Sequence, residues 1–169
     1  MRAVLAVAAC CLIMGACVGL GSWGAARLRR RINYLSGLIR GVDSLMRDID
    51  YLALPLPEAL EQAADCAGEA AAAFAAAARL LRSGQGLSGS EAWLTALTET
   101  DCGDCMPVAA CIGAGLGETD AAGQLQQLDA CRQRLDLALE EAEKDLARFG
   151  RIWRAGGWCG GAVLILLLL

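Results

Sequence analysis

Apolar residues follow two patterns along this chain: unbroken runs at the two ends and a helical period between them. Residues 3–26 carry no charge. A run of that length can cross a hydrocarbon core of roughly 30 Å, which takes about 20 helical residues. Residues 155–169 are again uncharged and close on Val163-Leu-Ile-Leu-Leu-Leu-Leu169. Counted from Ile152, with Arg154 reaching outward along its apolar stem, this second run is also long enough to span. The pattern predicts transmembrane helices over 3–26 and 152–169, with a domain over 27–151 between them.

Within that domain, Leu28, Ile32, Leu35, Ile39, Val42, Met46 and Ile49 recur in alternating steps of four and three. That spacing puts them on one face of a long helix. Pro55 and Pro57 break it, because the residue before a proline is pushed out of helical dihedrals. Pro57 suits the first turn of a following helix, where Glu58 meets the positive end of the helix dipole. The alanine tract that follows predicts one helix to about Arg82, with Leu60, Phe74, Leu80 and Leu81 as its larger contacts. Residues 83–89 form a loop by composition. Ser88 and Glu91 have capping-box spacing and open a short helix carrying Trp93, Leu94 and Leu97.

After a break at 101–104, a short helix is expected over 107–112. A last long helix starts near Thr119 or Asp120, either of which can cap it. Its apolar face is Leu128, Cys131, Leu135, Ala138, Ala142, Leu146 and Phe149. The fold class is therefore all-α: an antiparallel helical bundle between two terminal transmembrane helices.

Composition narrows the function. The chain has no histidine, which removes the commonest general base and a principal zinc ligand. No residue pair suggests catalysis, so no enzyme activity, cofactor or small-molecule substrate is expected. All nineteen acidic residues lie between Asp43 and Asp145, with only six of the fifteen basic ones. Nucleic acid is thereby disfavoured as a ligand, and a basic protein surface is favoured.

The remaining arginines cluster beside the apolar ends. Arg27, Arg29, Arg30 and Arg31 follow the first run, and Arg148, Arg151 and Arg154 lead into the second. Such clusters suit anionic membrane lipid, and the positive-inside rule puts the middle domain in the cytoplasm with both termini opposite. Met14-Gly-Ala-Cys17 loosely resembles a lipoprotein cleavage box, but the apolar run continues past Cys17, so an uncleaved anchor is read. Gly15 with Gly19, Gly156 with Gly160, and Gly157 with Gly161 are spaced for close packing of membrane helices.

Two further motifs carry possible chemistry. Gly113-Ala-Gly-Leu-Gly117 lacks both the GxGxxG spacing and a preceding strand, so no nucleotide site is read there. Cys102-Gly-Asp-Cys105 could hold zinc or exchange thiols, but it has no second pair and no histidine. Most of the nine cysteines read as small buried hydrophobes in a reducing compartment.

Four stretches resemble the stage III sporulation protein AB family of endospore-forming bacteria. They are the arginine-rich exit into the first long helix; Tyr51-Leu-Ala-Leu-Pro-Leu-Pro-Glu-Ala-Leu60, where Leu54 replaces the family's Thr; Gly115-Leu-Gly-Glu-Thr-Asp120 with Gln124; and Arg151-Ile-Trp-Arg-Ala-Gly156, where Trp153 replaces a common Tyr. That family is similar to the F-type platform proteins of type II secretion and type IV pilus systems. The resemblance implies a secretion F-domain-like bundle and a scaffold in a transenvelope complex between mother cell and forespore, seated in the mother-cell membrane. It implies as partners the secretion-type ATPase of the same operon and other membrane components of the channel complex. Candidate contacts are Pro55, Pro57 and Glu58, together with Leu116, Gly117, Asp120 and Gln124.

Overall fold

The computed structural model describes the backbone of residues 2–52, 54–84, 86–117 and 121–168, with side chains over 24–52, 54–84, 86–117 and 122–149. Among the described residues every regular element is helical. Helix α1 is Arg2–Arg47, continued by a π-helical turn, Asp48–Leu52. Helix α2 is Leu56–Cys66 and α3 is Ala71–Arg82, separated by a 3₁₀ turn at Gly68–Ala70. Helix α4 is Gly89–Glu99, and a short α5, Met106–Ala109, lies between 3₁₀ turns at Gly103–Cys105 and Ala110–Gly115. Helix α6 is Ala121–Leu168.

No helix among the described residues is long and apolar enough to cross a membrane. The two runs expected to do so, 3–26 and 152–169, lie almost wholly outside the residues whose side chains are described, as do Gly15, Gly19, Gly156, Gly157, Gly160 and Gly161.

The chain forms two compact units. One is Met1–Arg30 with Ala142–Leu169; the other is Arg31–Glu141. In the first, Ala142 is buried, and Gly24 lies so close to Phe149 that a Cβ there would stand 2.9 Å from the ring.

The larger unit is a helical bundle with one core. Trp93 and Phe74 are fully buried with ring centroids 4.8 Å apart, and the Trp93 indole donates to the Ala109 carbonyl at 2.9 Å. Around them lie Leu35, Leu38, Leu45, Leu60, Leu97, Ile112, Leu128 and Leu135, all fully buried. A buried indole N–H needs such an acceptor, so this bond fixes the depth of α4 against α5.

The buried face of α1 is turned away from the expected one. Leu35 and Val42 are buried, but Ile32, Ile39, Met46 and Ile49 only flank the face, which is centred on Tyr34, Leu38, Gly41 and Leu45. Glycine decides the choice. A Cβ on Gly37 would strike the Ala67 carbonyl oxygen, and one on Gly41 would strike the Phe74 ring. The alanine-rich helices approach where α1 has no side chains, and that closeness outweighs the extra branched residues on the other stripe.

The alanine tract is likewise two helices and not one. Gly68 has φ +56, a left-handed conformation costly for other residues, and it turns the chain. Arg40 stabilises the break, since its Nε donates to the freed Cys66 carbonyl at 3.0 Å. Past the turn, α3 returns along α2, and Arg82 forks onto the Glu61 carboxylate. The capping box forms as expected: Ser88 Oγ accepts from the Glu91 N–H at 3.2 Å, and Glu91 accepts from the Ser88 N–H at 2.9 Å.

Helix α6 buries the expected face, with Leu128, Cys131, Leu135 and Ala138 in the core of the larger unit. Asp43 on α1 and Arg132 on α6 pair at 2.5 Å, and the carboxylate holds the guanidinium pKa above its usual value. The start of α6 expected at Thr119 or Asp120 falls outside the described residues.

Candidate protein-interaction surface

Helix α2 begins with its cap built into the backbone. Pro55 sits at φ −56 and ψ 138, and its carbonyl accepts from the Glu58 and Ala59 N–H groups at 2.9 and 3.1 Å. Pro57 occupies the first turn, where a missing N–H costs nothing. Pro55 and Glu58 are exposed and Pro57 is half-buried.

Between the two prolines, Leu56 reaches across to two other elements. A Cβ on Gly89, the first residue of α4, would stand 2.9 Å from Leu56 Cδ2 and 2.5 Å from the Leu116 carbonyl oxygen. A Cβ on Gly117 would stand 3.6 Å from the same Leu56 carbon and 3.8 Å from Gly89 Cα. Gly117 has φ +80, so glycine is needed there for the turn as well as for the space. The start of α2, the start of α4 and the turn before α6 therefore meet at one end of the unit.

Two stretches read separately as contact candidates, 55–58 and 116–117, thus share one surface. Leu116 is fully buried, so it holds the turn from beneath and presents nothing outward. Gln124 is half-buried on α6, and Asp120 lies outside the described residues. Neither Tyr51 nor Leu52 was expected among the contacts, yet they are 81% and 59% exposed on the π turn just before Pro55. Their apolar character beside a double proline was the available signal. Gly89 carried no signal of its own, since its role is to let Leu116 and Leu56 close in.

Two of the cysteines differ from expectation. Cys111 and Cys131 form a disulfide with Cα atoms 5.8 Å apart, tying the 3₁₀ turn at Ala110–Gly115 to α6. These two are not the reduced thiols expected of most of the nine, although Cys131 is buried as expected.

Cys102 and Cys105 are free and buried. Cys102 Sγ donates to the Leu97 carbonyl at 3.1 Å. Burial pushes the Cys105 thiol pKa up, opposed by nearby Arg31 and reinforced by Asp104 and Cys102. A buried thiol held in its neutral form is a poor nucleophile. Among the described residues no group of three His, Cys, Asp or Glu side chains is arranged to hold a metal ion. Beside this pair Tyr34 is buried, its hydroxyl without a hydrogen-bond partner, and burial raises its pKa.

A groove of about 580 Å³ is lined by Arg40, Asp43, Met46, Arg47 and the exposed thiol of Cys66. Arg40 and Arg47 both turn back to backbone carbonyls there, those of Cys66 and Asp43.

The fold is similar to a solved structure of stage III sporulation protein AB (SpoIIIAB), with a TM-score of 0.61 at 23% identity, covering 70% of this chain and 97% of that one. Among curated proteins, none matches the chain in sequence. The family model for stage III sporulation protein AB matches residues 6–169. With the proline-flanked start of α2 and the Gly117 turn packed together as described, and with that match running through both, the chain belongs to the stage III sporulation protein AB family and has its role in sporulation.

Proposed function

We propose that this chain is a non-catalytic, membrane-anchored scaffold of a multi-protein sporulation complex, meeting a secretion-type ATPase through its helical unit. The observation that carries the proposal is the convergence of 55–58 and 116–117 on one surface through Leu56. Two stretches about sixty residues apart in the chain have a common site to form. The apolar runs at 3–26 and 152–169 supply the anchors, and the arginines beside them favour a unit that faces the cytoplasm; the mother-cell membrane follows from the family resemblance alone.

Co-purification tests it. The full-length chain in detergent is expected to retain the ATPase of its own operon at low salt and release it at high salt, since the unit is acidic. A folded chain that retains no ATPase at low salt overturns the contact.

A second topology is favoured by one observation, the Cys111–Cys131 disulfide. Disulfides persist in oxidising compartments, which suits a chain processed at Cys17 with its helical unit outside the cytoplasm. Cys66, free and exposed, reports the side. A membrane-impermeant maleimide that leaves Cys66 unlabelled in intact cells supports the cytoplasmic arrangement, and rapid labelling supports the other.

A further inference from the structure

The end of α1 is built against its own electrostatics. The C-terminal end of a helix is its negative pole, where basic side chains are favourable and acidic ones are not. Here the turn that ends α1 carries Asp48 and Asp50. Arg47, the basic residue of the last turn, is directed back to the Asp43 carbonyl at 3.2 Å. Asp48 is only 6% exposed, and one of its carboxylate oxygens has no hydrogen-bond donor among the described residues.

After Arg47, charge along the turn and into α2 and α3 has one sign. From Asp48 to Ala78 the sequence has six acidic residues and no lysine or arginine. Glu61 is taken by Arg82 and Glu69 by Asn33. Asp50 and Glu58 remain exposed on either side of Tyr51, Leu52 and Pro55.

The apolar residues between them are as unfavourably placed in the lone molecule as the charges. A π turn is rare and frequently marks a functional position, and this one holds a tyrosine and a leucine in water. Large exposed apolar side chains within a polar rim are the usual anatomy of a protein contact, with aromatic residues as its anchors.

We propose that Tyr51 and Leu52 are the anchors of a docking surface for a protein that presents an apolar socket rimmed by arginine or lysine. The cation completes the negative pole of α1 and meets Asp50 and Glu58, while the socket takes the tyrosine ring and the leucine. An anionic membrane is disfavoured by the same acidic rim. A two-fold contact between copies is disfavoured too, because it would set this rim against itself. The inference rests on the scaffold reading in requiring a protein partner, and is independent of that partner being the ATPase.

The test places a photo-crosslinking benzoylphenylalanine at position 52 of the full-length chain in sporulating cells. The same residue at position 137, where Leu137 is 63% exposed, serves as control. Position 52 is expected to capture one discrete protein, through a peptide with lysine or arginine beside apolar residues. Adding Tyr51→Ala is expected to cut the yield roughly tenfold, as for an interface anchor. Asp50→Asn with Glu58→Gln is expected to cut it several-fold. All of these residues are exposed, so helical content is expected to hold by circular dichroism.

Capture of lipid, of a second copy of the chain, or of nothing beyond the control overturns the proposal. So does a yield indifferent to both sets of substitutions. The two proposals fail separately. Capture of a basic partner, with no co-purification of the ATPase, sustains the docking surface and removes the ATPase contact. Co-purification of the ATPase with no capture at position 52 does the reverse.

Discussion

The two long helices of the larger unit bury their faces by opposite means. Helix α6 contributes bulk: Leu128, Cys131, Leu135 and Ala138 follow the apolar period and enter the core. Helix α1 contributes absence as well, with Gly37 and Gly41 leaving room for the Ala67 backbone and the Phe74 ring. A face made of bulk is visible to any count of apolar residues. A face made of gaps is visible only once the helix that fills them is known.

Cutting bulk from α6 gives the largest expected effect. Leu135→Ala removes a fully buried side chain and is expected to destabilise by about 3 kcal/mol, read as thermal unfolding by circular dichroism. Reducing the Cys111–Cys131 disulfide, which ties α6 to its neighbour across 20 residues, is expected to cost about 3 kcal/mol or slightly less by the same measurement.

Filling the gaps on α1 breaks the comparison most directly, because there the sign is at stake. Glycine-to-alanine changes inside a helix ordinarily gain about 1 kcal/mol. Gly37→Ala is instead expected to lose about 2 kcal/mol, since a backbone carbonyl cannot swing aside. Gly41→Ala is expected to lose less, because the Phe74 ring can tilt. A gain at Gly37 would mean the close approach is not what sets the face of α1.

The smallest effects lie away from both faces, at the α4 cap. Ser88→Ala is expected to cost about 1 kcal/mol. The Ser88 backbone N–H and hydroxyl hold the Glu91 carboxyl below its usual range. A carboxyl depressed in the folded state adds stability above its unfolded value, and loses it as pH falls through the lowered folded value. An acid melt should therefore show a small low-pH loss that Glu91→Gln removes.

What was readable in the sequence was local. The Ser88–Glu91 box, the Pro57 start of α2 and the loop after α3 each depend on a few neighbouring residues, and each formed where the pattern put it. The α1 face was misread because residues 38 and 39, and again 45 and 46, offer two apolar stripes of nearly the same spacing. Only the tertiary fit at Gly37 and Gly41 separates them. The break at Gly68 was hidden by alanines that propagate helix on both sides.

The candidate surface divides in the same way. Pro55, Pro57, Glu58 and Gly117 announce turns and helix starts, and they stand there. Their convergence needs Leu56 to reach Gly89 and Gly117, a contact no local pattern contains. Leu116, named as a contact candidate by its place in a motif, is fully buried beneath the turn.

The ion pair between Asp43 and Arg132 joins residues 89 apart in the chain. Helices α2, α3 and α4 follow one another across short connections, so contacts among them close quickly, whereas α1 and α6 must wait for a long loop to close. On the ribosome, α1 can receive α2 and α3 on its glycines long before α6 exists. The turn at Gly117 emerges later still than Leu56, which it must meet. A chain interrupted before Gly117 would therefore carry the Tyr51–Leu52 turn without all of the packing that supports Leu56 behind it. Assembly of the surface is timed by synthesis, and it is complete only once the Gly117 turn has emerged.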